Sequence, residues 1–414
     1  MEICVVGAGA AGLMAAIWAR RTAPEAQVML LDGARRLGAK ILISGGGRCN
    51  VTHTQVDEND FSGSSPMAIR KVLRRFDIEQ TLEFFRELGV ALKREPTGKL
   101  FPTDDRARTV LEALLREATA RGVTIAHPRR VEEITALPPL VGAERRRFRV
   151  SGEWGSVEAD RVVVATGGLS VPKTGSDGAG YTWVRQLGHE VTRLFPGLVP
   201  LTLPRGHFLT ALRGIAVPVT LELRSGPGKR LAATTGPLLC THFGVSGPAV
   251  LDMSRHYLDA LHQDAGVKLH VCWLPRQTPA EIDGALQSLQ DLRPAGWLAR
   301  LLPERLARAL CAAAEVPADA TGHALPREAR RALVNLLTAM HLPVTGSRGF
   351  AVAEVTAGGV PLAELRLETM ESRRQSGLHL CGEICDVDGR LGGFNFQWAW
   401  ASGYVAGVGA ARSV

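Results

Sequence analysis

The sequence lacks the features of several large protein classes. Its seven cysteines include no pair with the spacing of a zinc site or a thioredoxin-type redox motif, because Cys381 and Cys385 stand one residue too far apart. We therefore expect reduced thiols, no bound metal and a cytoplasmic protein. The uncharged run 3–19 follows an acid, Glu2, and is rich in glycine and other small residues, which argues against a signal peptide or a membrane span.

Aromatic residues are also scarce. They make up 5% of the chain, with only three tyrosines, and this argues against the aromatic cage of an amine oxidase. No internal repeat, low-complexity segment or long basic tail is present. The length of 414 residues is too great for one ordinary core and predicts two or three domains.

The chain is nevertheless basic, with 49 Lys and Arg against 41 Asp and Glu and a net charge of +8. The basic residues fall in small groups: Arg70, Lys71, Arg74 and Arg75; Arg129 and Arg130; 145–147; Arg330 and Arg331; Arg373 and Arg374. Such groups are typical of a solvated surface, and equally of a face that binds an anionic partner such as RNA. Both interpretations stay open.

The first thirty-two residues contain the most informative motif. The motif begins with an apolar strand at 3–6 and the glycine turn Gly7-x-Gly9-x-x-Gly12. A helix at 13–21, a second strand at 27–31 and the acid Asp32 follow. This order is typical of a dinucleotide-binding unit, in which the pyrophosphate lies at the helix N-terminus and the acid accepts hydrogen bonds from a ribose. An ordinary glycine-rich turn is the weaker alternative.

Further glycine loops follow apolar runs at 44–52, 165–168 and 382–395. The three adjacent glycines, Gly45 to Gly47, cannot form a stable helix or a central strand and predict a loop that lies against a planar or phosphate-bearing ligand, with the Arg48 charge available beside it. These extra loops favour an extended FAD over NAD alone. No second complete fingerprint is present, so NAD(P)H has no dedicated Rossmann domain and, as electron donor, must bind transiently.

The middle of the chain has a different composition. Alternating segments at 198–203, 217–224 and 230–234 predict an antiparallel barrel or sandwich, and 279–339 is helical. We predict an α/β fold, a Rossmann-like FAD-binding domain interrupted by a β-barrel and a small helical subdomain. The predicted boundaries are 1–195 and 361–414 for the FAD-binding domain, 196–275 for the barrel, 276–341 for the helical subdomain and 342–360 for the return strands of the barrel.

Six motifs in order resemble a bacterial family of FAD-binding flavoproteins, the BaiN/YhiN-like or aminoacetone-oxidase-like NAD(P)/FAD-dependent oxidoreductases. They are the first glycine turn, Ser44-Gly45-Gly46-Gly47-Arg48-Cys49-Asn50-Val51-Thr52, the stretch from Ala165 to Gly175, the stretch from Thr241 to Pro248, Val355-Thr356-Ala357-Gly358-Gly359-Val360, and Gly382-Glu383 with the stretch from Gly392 to Ala399. The resemblance covers nearly the whole chain and implies the same fold, an FAD domain with an inserted β-barrel and a helical subdomain. Asp32 stands where the family usually has Glu, and His53 where Asn is common.

The resemblance implies a set of residues that contact FAD. They are Gly7, Gly9, Ala10, Ala11, Gly12, Asp32, Lys40, Ser44, Gly45, Gly46, Gly47, Arg48, Cys49, Asn50, Ala165, Thr166, Gly167, Gly382, Glu383, Gly392, Gly393, Phe394 and Asn395. Within this set, Gly393 to Asn395 are expected near flavin N1 and O2, and Glu383 near the ribityl chain or pyrophosphate.

The resemblance also implies reduction of an activated C=C bond, either in a small conjugated molecule or in a uridine of ribosomal RNA. Both reactions need a general acid, for which Cys49, His242 and Lys173 are candidates on glycine-rich loops. Each also has a plain alternative role: Cys49 in packing, His242 at the end of a strand, and Lys173 at a phosphate. An amine oxidase and a non-catalytic flavin-binding protein are further alternatives. The sequence leaves the oligomeric state open.

Overall fold

The structure, a computed structural model, describes residues 1–138 and 147–412. The described chain divides into two compact units, one formed by Met1–Pro196 with Glu354–Val414 and the other by Gly197–Ala353. Two members of the basic group at 145–147, Arg145 and Arg146, lie outside the described residues. The finer predicted boundaries at 275, 341 and 360 remain predictions.

The first part of the first unit contains strands and helices in alternation. The strands are β1 (Glu2–Val6), β2 (Gln27–Leu31), β3 (Thr52–His53), β4 (Phe61–Gly63), β5 (Leu92–Arg94), β6 (Lys99–Pro102), β7 (Thr124–Ala126), β8 (Glu133–Ala136), β9 (Phe148–Gly152), β10 (Gly155–Ala159), β11 (Arg161–Val164) and β12 (Phe195–Gly197), which reaches the boundary. The helices are α1 (Ala10–Thr22), α2 (Ala39–Gly47), α3 (Pro66–Leu73), α4 (Ile78–Glu87), α5 (Ala107–Ala120) and α6 (Ala179–Gln186), with 3-10 turns at Glu58–Asp60 and Pro172–Thr174.

The second unit follows. Its strands are β13 (Leu201–Thr202), β14 (Ala216–Arg224), β15 (Arg230–Thr241), β16 (Gly244–Ser246), β17 (Lys268–Cys272), β18 (Met340–Leu342) and β19 (Gly346–Ser347). Its helices are α7 (Phe208–Ala211), α8 (Pro248–Gln263), α9 (Pro279–Gln287), α10 (Pro294–Leu298), α11 (Glu304–Ala313) and α12 (Arg327–Ala339), with a 3-10 turn at Gly322–Ala324.

The C-terminal segment completes the first unit. It contains β20 (Val355–Ala357), β21 (Leu365–Arg366), β22 (Glu371–Ser372), β23 (Leu378–Leu380), β24 (Val387–Gly389) and α13 (Phe394–Ala411), with 3-10 turns at Leu362–Glu364 and Gly382–Ile384. The predicted closing helix, 397–411, is thus confirmed, and it begins three residues earlier than expected.

The central sheet of the first unit has the order β21-β22-β23-β11-β1-β2-β7. Strands β23, β11, β1, β2 and β7 run parallel, and an antiparallel hairpin, β21 and β22, extends one edge. Buried valines and leucines line these strands, as a sheet covered on both faces requires. The parallel sheet confirms the predicted Rossmann-like architecture.

Helices α1 and α13 pack closely in this unit because glycine lies where they meet. A Cβ at Gly403 would lie 2.5 Å from the carbonyl oxygen of Ala11, and one at Gly407 would lie 2.2 Å from that of Ala15. Any larger residue must therefore push the helix backbones apart. Helix α13 is buried along most of its length, so its sequence has apolar residues on all sides.

The second unit contains an antiparallel sheet of order β18-β17-β14-β15-β16-β13-β19. Its buried apolar residues form one cluster with those of α8, α9, α11 and α12. A closed β-barrel is not confirmed: in this unit, all of which is described, the edge strands β18 and β19 are not paired with each other. The helices cover apolar side chains that a closed barrel would enclose, so the alternating sequence fits an open sheet equally well.

Candidate cofactor site at the carboxyl edge of the parallel sheet

The three central strands of the parallel sheet end together. Val6 of β1 is in register with Val164 of β11, which is in register with Leu380 of β23. The segments that follow these strands, beginning at Gly7, Ala165 and Cys381, therefore lie at one edge of the sheet. In open α/β sheets, ligands bind outside the carboxyl ends of such strands. Stretches more than 370 residues apart thus meet at one place.

The glycines of the first turn differ in their surroundings. A Cβ at Gly7 would lie 2.5 Å from the carbonyl oxygen of Ala165, and one at Gly12 would lie 1.7 Å from that of Gly7. Both positions need glycine because backbones touch there. Gly9 has nothing within 4 Å of a Cβ position. The open space at Gly9 is where a phosphate can approach the backbone.

Helix α1 begins beside this space. Gly9 caps it without a side chain, so the first-turn N–H groups, including those of Ala10 and Ala11, are offered to an anion. The Asp32 carboxylate accepts hydrogen bonds from the N–H groups of Ala8 (2.6 Å) and Ala34 (2.7 Å), one on each oxygen. Each carboxylate oxygen can accept a second bond, so capacity for ribose hydroxyls remains.

The predicted glycine loop lies at the end of α2. The helix breaks at Ser44, whose ψ is 148°, and Gly45, Gly46 and Gly47 follow with φ of 55°, 69° and 88°. These left-handed angles favour glycine, and they confirm that the triplet interrupts regular structure. All three glycines are exposed, so their backbone forms an open strip against which a ligand can lie.

Arg48, beside the glycine loop, contacts two acids and an aromatic ring of the same unit. Its guanidinium donates to Glu95 at 2.6 Å, lies 3.6 Å from Asp105 and covers the ring of Phe101 at 4.0 Å. The hydrogen bond to Glu95 raises the pKa of Arg48. Two acids on nearby segments thus already compensate the Arg48 charge, and its contact with FAD stays a prediction.

Two predicted contact residues carry buried polar atoms without a partner among the described residues. Asn50 Oδ1 is one, and a Cβ at Gly393 would lie 2.9 Å from it. Thr166 Oγ1 is the other, and a Cβ at Gly180 would lie 2.1 Å from it. Buried polar atoms without partners are costly in a folded protein. Together with the open space at Gly9, they fit a polar cofactor such as FAD.

The last predicted stretch precedes α13. Asn395 exchanges two hydrogen bonds of 2.9 Å with the backbone of Gly389, and Phe394 is buried and stacks on His53 at 5.0 Å. Gly392 packs against the ring of Phe394. Asn395 and Phe394 thus shape the turn, while Gly393 caps α13 without a side chain and leaves its first N–H groups exposed to a ligand.

Two further residues belong to this edge although the sequence did not single them out. Ser170 and Thr356 form hydrogen bonds with the Glu383 carboxylate, which also accepts from Lys40 at 2.6 Å. Gly382 precedes this carboxylate and packs its Cα against Ala11. Both residues lie inside matched motifs, but nothing in the local spacing shows that 170 and 356 meet at one carboxylate.

The three general-acid candidates differ in exposure and in the unit that carries them. Cys49 is fully buried, and burial raises the pKa of its thiol to about 12. Lys173 is exposed in the turn Pro172–Thr174 of the first unit. His242 is exposed in the second unit, edge-on to Phe243 at 5.0 Å. The burial of Cys49 favours its packing role.

Within residues 1–138 and 147–412, none of the helices combines the length and the apolar character needed to cross a bilayer. The same residues contain no group of three or more His, Cys, Asp or Glu side chains arranged to hold a metal ion.

Residues 1–409 match the family model described as HI0933-like protein Rossmann domain. The chain is 34% identical to the 3-dehydro-bile acid delta(4,6)-reductase of Clostridium scindens, over 99% of both chains. It is 34% identical to the ribosomal RNA dihydrouridine synthase of Escherichia coli, over 97% of this chain and 96% of that one.

Among solved structures, a 3-ketosteroid-delta4-(5alpha)-dehydrogenase from Rhodococcus jostii RHA1 in complex with 4-androstene-3,17-dione is similar, with a TM-score of 0.50 at 15% identity. The similarity covers 100% of this chain and 97% of that chain. The prediction of a Rossmann-type FAD-binding fold is confirmed by these similarities.

Proposed function

We propose that this chain, which belongs to the HI0933-like Rossmann-domain family, reduces a carbon–carbon double bond conjugated to a carbonyl group in a small molecule. The chain is an FAD-dependent oxidoreductase, and NAD(P)H is the proposed electron donor. The observation that carries the proposal is the carboxyl edge of the parallel sheet. Three neighbouring strands end there in register, with the open backbone at Gly9 beside α1.

The chemistry of the proposed reaction divides into two parts. FAD, when bound and once reduced by NAD(P)H, would supply the two electrons as a hydride. The protein must place the substrate, exclude water and deliver a proton to the other carbon. His242 and Lys173 remain the proposed proton donors, because both side chains are exposed. Cys49 is a poorer choice because its side chain is fully buried.

The relatives support the proposed substrate class. The reductase from Clostridium scindens is named for a bile acid with conjugated double bonds, and it aligns with this chain from end to end. A uridine also contains a double bond conjugated to a carbonyl, so both relatives act on one type of bond. We place this chain with the small-molecule reductases.

Reduction of a uridine in ribosomal RNA is the second candidate, favoured by the relative from Escherichia coli and by the charge of +8. The basic groups give it limited support, because many of their members bind acids of the same chain. Those pairs are Arg70 with Glu58, Lys71 with Glu368, Arg130 with Asp177, Arg147 with Glu2, Arg330 with Asp283, and Arg374 with Glu364.

We also propose a cytoplasmic location and transient binding of NAD(P)H. The seven cysteines are free thiols, six of them buried, which suits a reducing compartment. The described fold contains a single Rossmann unit at the N-terminus, so a second nucleotide has to share the substrate side of the flavin.

The test uses purified protein loaded with FAD under anaerobic conditions. NADH or NADPH is expected to bleach the flavin absorption, and 4-androstene-3,17-dione is expected to restore it with formation of the saturated ketone. The matched control is the corresponding saturated 3-ketone, which has no double bond to reduce and must leave the flavin bleached.

Two other outcomes would change the conclusion. Reoxidation by uridine-containing ribosomal RNA, with dihydrouridine detected by nucleoside mass spectrometry and no reaction of the enone, would establish the second candidate. A flavin that no nicotinamide nucleotide bleaches would count against turnover and favour a flavin-binding protein.

A further inference from the structure

Two histidines lie side by side on the more exposed face of the antiparallel sheet in the second unit. His270 of β17 is in register with His341 of β18. Their neighbours Leu269, Val271 and Leu342 are buried on the opposite face, in one apolar cluster with the helices of that unit. Because successive side chains of a strand alternate between its two faces, both imidazoles lie away from this cluster. The strand register thus brings together two residues that are far apart in the sequence.

The two rings stand at the separation of two ligands on one metal ion. Their centroids are 5.8 Å apart, and their planes are inclined by 56°. A zinc–nitrogen bond measures about 2.0–2.1 Å, so two imidazoles that share one ion have centroids about 5–6 Å apart. The inclination of the planes excludes face-to-face stacking, so ring stacking does not account for the pair.

The ring of His270 contains a nitrogen atom that the protein leaves unsatisfied. Its Nδ1 is buried and has no hydrogen-bond partner within residues 1–138 and 147–412. Such an atom is costly in a folded protein unless a ligand or an ordered water satisfies it. His341 is exposed, so its ring is accessible to an ion from solvent. The pair therefore combines a buried nitrogen that lacks a partner with an accessible imidazole.

The surroundings of the pair favour neutral imidazoles. Burial is the main cause that lowers the pKa of His270, followed by the nearby His341 and Arg224. Burial and then Lys268 lower the pKa of His341. Glu222, in register with His270 on β14, acts in the opposite direction, but its carboxylate accepts a hydrogen bond from Arg224 at 2.7 Å. Because metal ions bind neutral imidazole, the ring nitrogens are available at neutral pH.

We propose that His270 and His341 form a binding site for a divalent transition-metal ion, with Zn²⁺ as its occupant. Imidazole nitrogen is a preferred ligand of zinc. Two protein ligands leave the remaining positions to water, so the site binds reversibly and is not a closed structural centre. Since β18 is an edge strand of the sheet, the ion ties this strand to β17. The expectation of no bound metal rested on cysteine spacing, which carries no information about histidines that only the fold brings together.

The experiment uses full-length protein that is loaded with FAD and freed of metal by a chelator, and it measures zinc affinity by competition with a colorimetric zinc indicator. His270→Gln and His341→Gln are each expected to weaken zinc binding by at least about tenfold, because each removes one of the two ligands. His262→Gln removes an exposed histidine at the end of α8 and is the matched control. It is expected to change the affinity by less than about twofold.

Two outcomes of this titration would overturn the proposal. Equal zinc affinity in wild type and in both variants of the pair would mean adventitious binding only. Binding that is lost in Cys272→Ala instead would assign the ion to the thiol two positions from His270 on the same face of β17. Both histidines belong to the second unit, so either outcome leaves the proposed function, which rests on the first unit, unaffected.

Amide hydrogen exchange tests the link between the two strands. Zn²⁺ is expected to slow exchange in Met340–Leu342 of wild type, because an ion that binds only the paired strands stabilises them by mass action. The same addition is expected to have no effect in His341→Gln. Zinc that binds without slowing exchange there would overturn the link. The melting temperature of each metal-free variant, expected to stay within about 3 °C of wild type, shows that the fold is retained.

Discussion

The interface between α1 and α13 and the loops at the carboxyl edge of the sheet are both rich in glycine, but glycine has opposite surroundings in them. At Gly403 and Gly407, a Cβ would lie within 2.5 Å of a neighbouring carbonyl oxygen. At Gly9 and Gly46, nothing lies within 4 Å of a Cβ position. The first pair is filled by the protein itself, and the second pair faces open space.

This difference distinguishes glycines that the packing of the fold requires from glycines that the binding of a ligand requires. A packed glycine is required by the folded chain alone, so its replacement damages stability. Replacing an open glycine that has ordinary backbone angles destabilises the fold little. If glycine is nevertheless required there, the reason is a ligand that approaches the backbone. Gly7 and Gly12 belong to the first kind although they lie in the dinucleotide motif.

The largest effect is expected at the packed interface. Gly407→Val would place side-chain atoms on the carbonyl oxygen of Ala15 and force α1 and α13 apart, with a loss of more than about 3 kcal/mol in the free energy of unfolding. Thermal and urea denaturation measure it, together with the soluble yield. A variant as stable as wild type would show that the interface is less tightly packed than described.

The next effect concerns the open position. Gly9→Val is expected to leave the melting temperature of the apoprotein nearly unchanged, because the φ of −81° at Gly9 is ordinary for valine. FAD binding is expected to weaken by about a hundredfold, since the side chain fills the space where the pyrophosphate approaches the backbone.

Gly284→Val is the matched control for this change. Gly284 also has nothing within 4 Å of a Cβ position, but it lies on α9 in the second unit. Its substitution is expected to leave FAD binding unaltered. If Gly9→Val bound FAD normally, or destabilised the apoprotein as Gly407→Val does, the contrast between open and packed glycines would not hold.

Acid is expected to lower the free energy of unfolding of the first unit. Burial lowers the pKa of His379, on β23, from 6.5 to about 4, so the unfolded chain binds the proton more readily than the folded chain. The stability that comes from keeping His379 neutral is complete above pH 6.5 and is lost as the pH falls towards 4. When the pH falls from 7 to 5, this group is expected to lower the free energy of unfolding by about 2 kcal/mol.

Urea denaturation at several pH values measures this loss. His379→Gln has no titrating imidazole and is the control: its stability is expected to change less over the same pH range. If the free energy of unfolding fell equally with pH in wild type and in His379→Gln, other groups would be the cause of the acid sensitivity.

The smallest effect is expected at Cys49, which lies in the glycine-rich segment but is itself packed. Cys49→Ala is expected to keep turnover within about threefold, because a buried thiol with a pKa of about 12 has no access to substrate. Steady-state reduction of an enone measures it, with Cys240→Ala, a buried cysteine of the second unit, as control. A loss of turnover of a hundredfold or more, with FAD still bound, would restore Cys49 as general acid.

Some of the fold was accessible from the sequence because it depends on short-range patterns. The strands at 3–6 and 27–31, the glycine turn and the closing helix could each be predicted from residues that are close in the chain. The antiparallel sheet of the second unit could be predicted as antiparallel but not as open, since alternation of apolar residues is the same in a sheet and in a barrel.

The sequence by itself determined the dinucleotide unit from Glu2 to Asp32, because its spacing and glycine positions are local requirements of a strand, a turn and a helix. Only the tertiary structure decided that Arg48 is held by Glu95 and that Cys49 is buried. It also decided that Ser170 and Thr356 meet at Glu383. These contacts join residues separated by up to 213 positions, and parallel strands, which need long crossover connections, are what bring them to one edge.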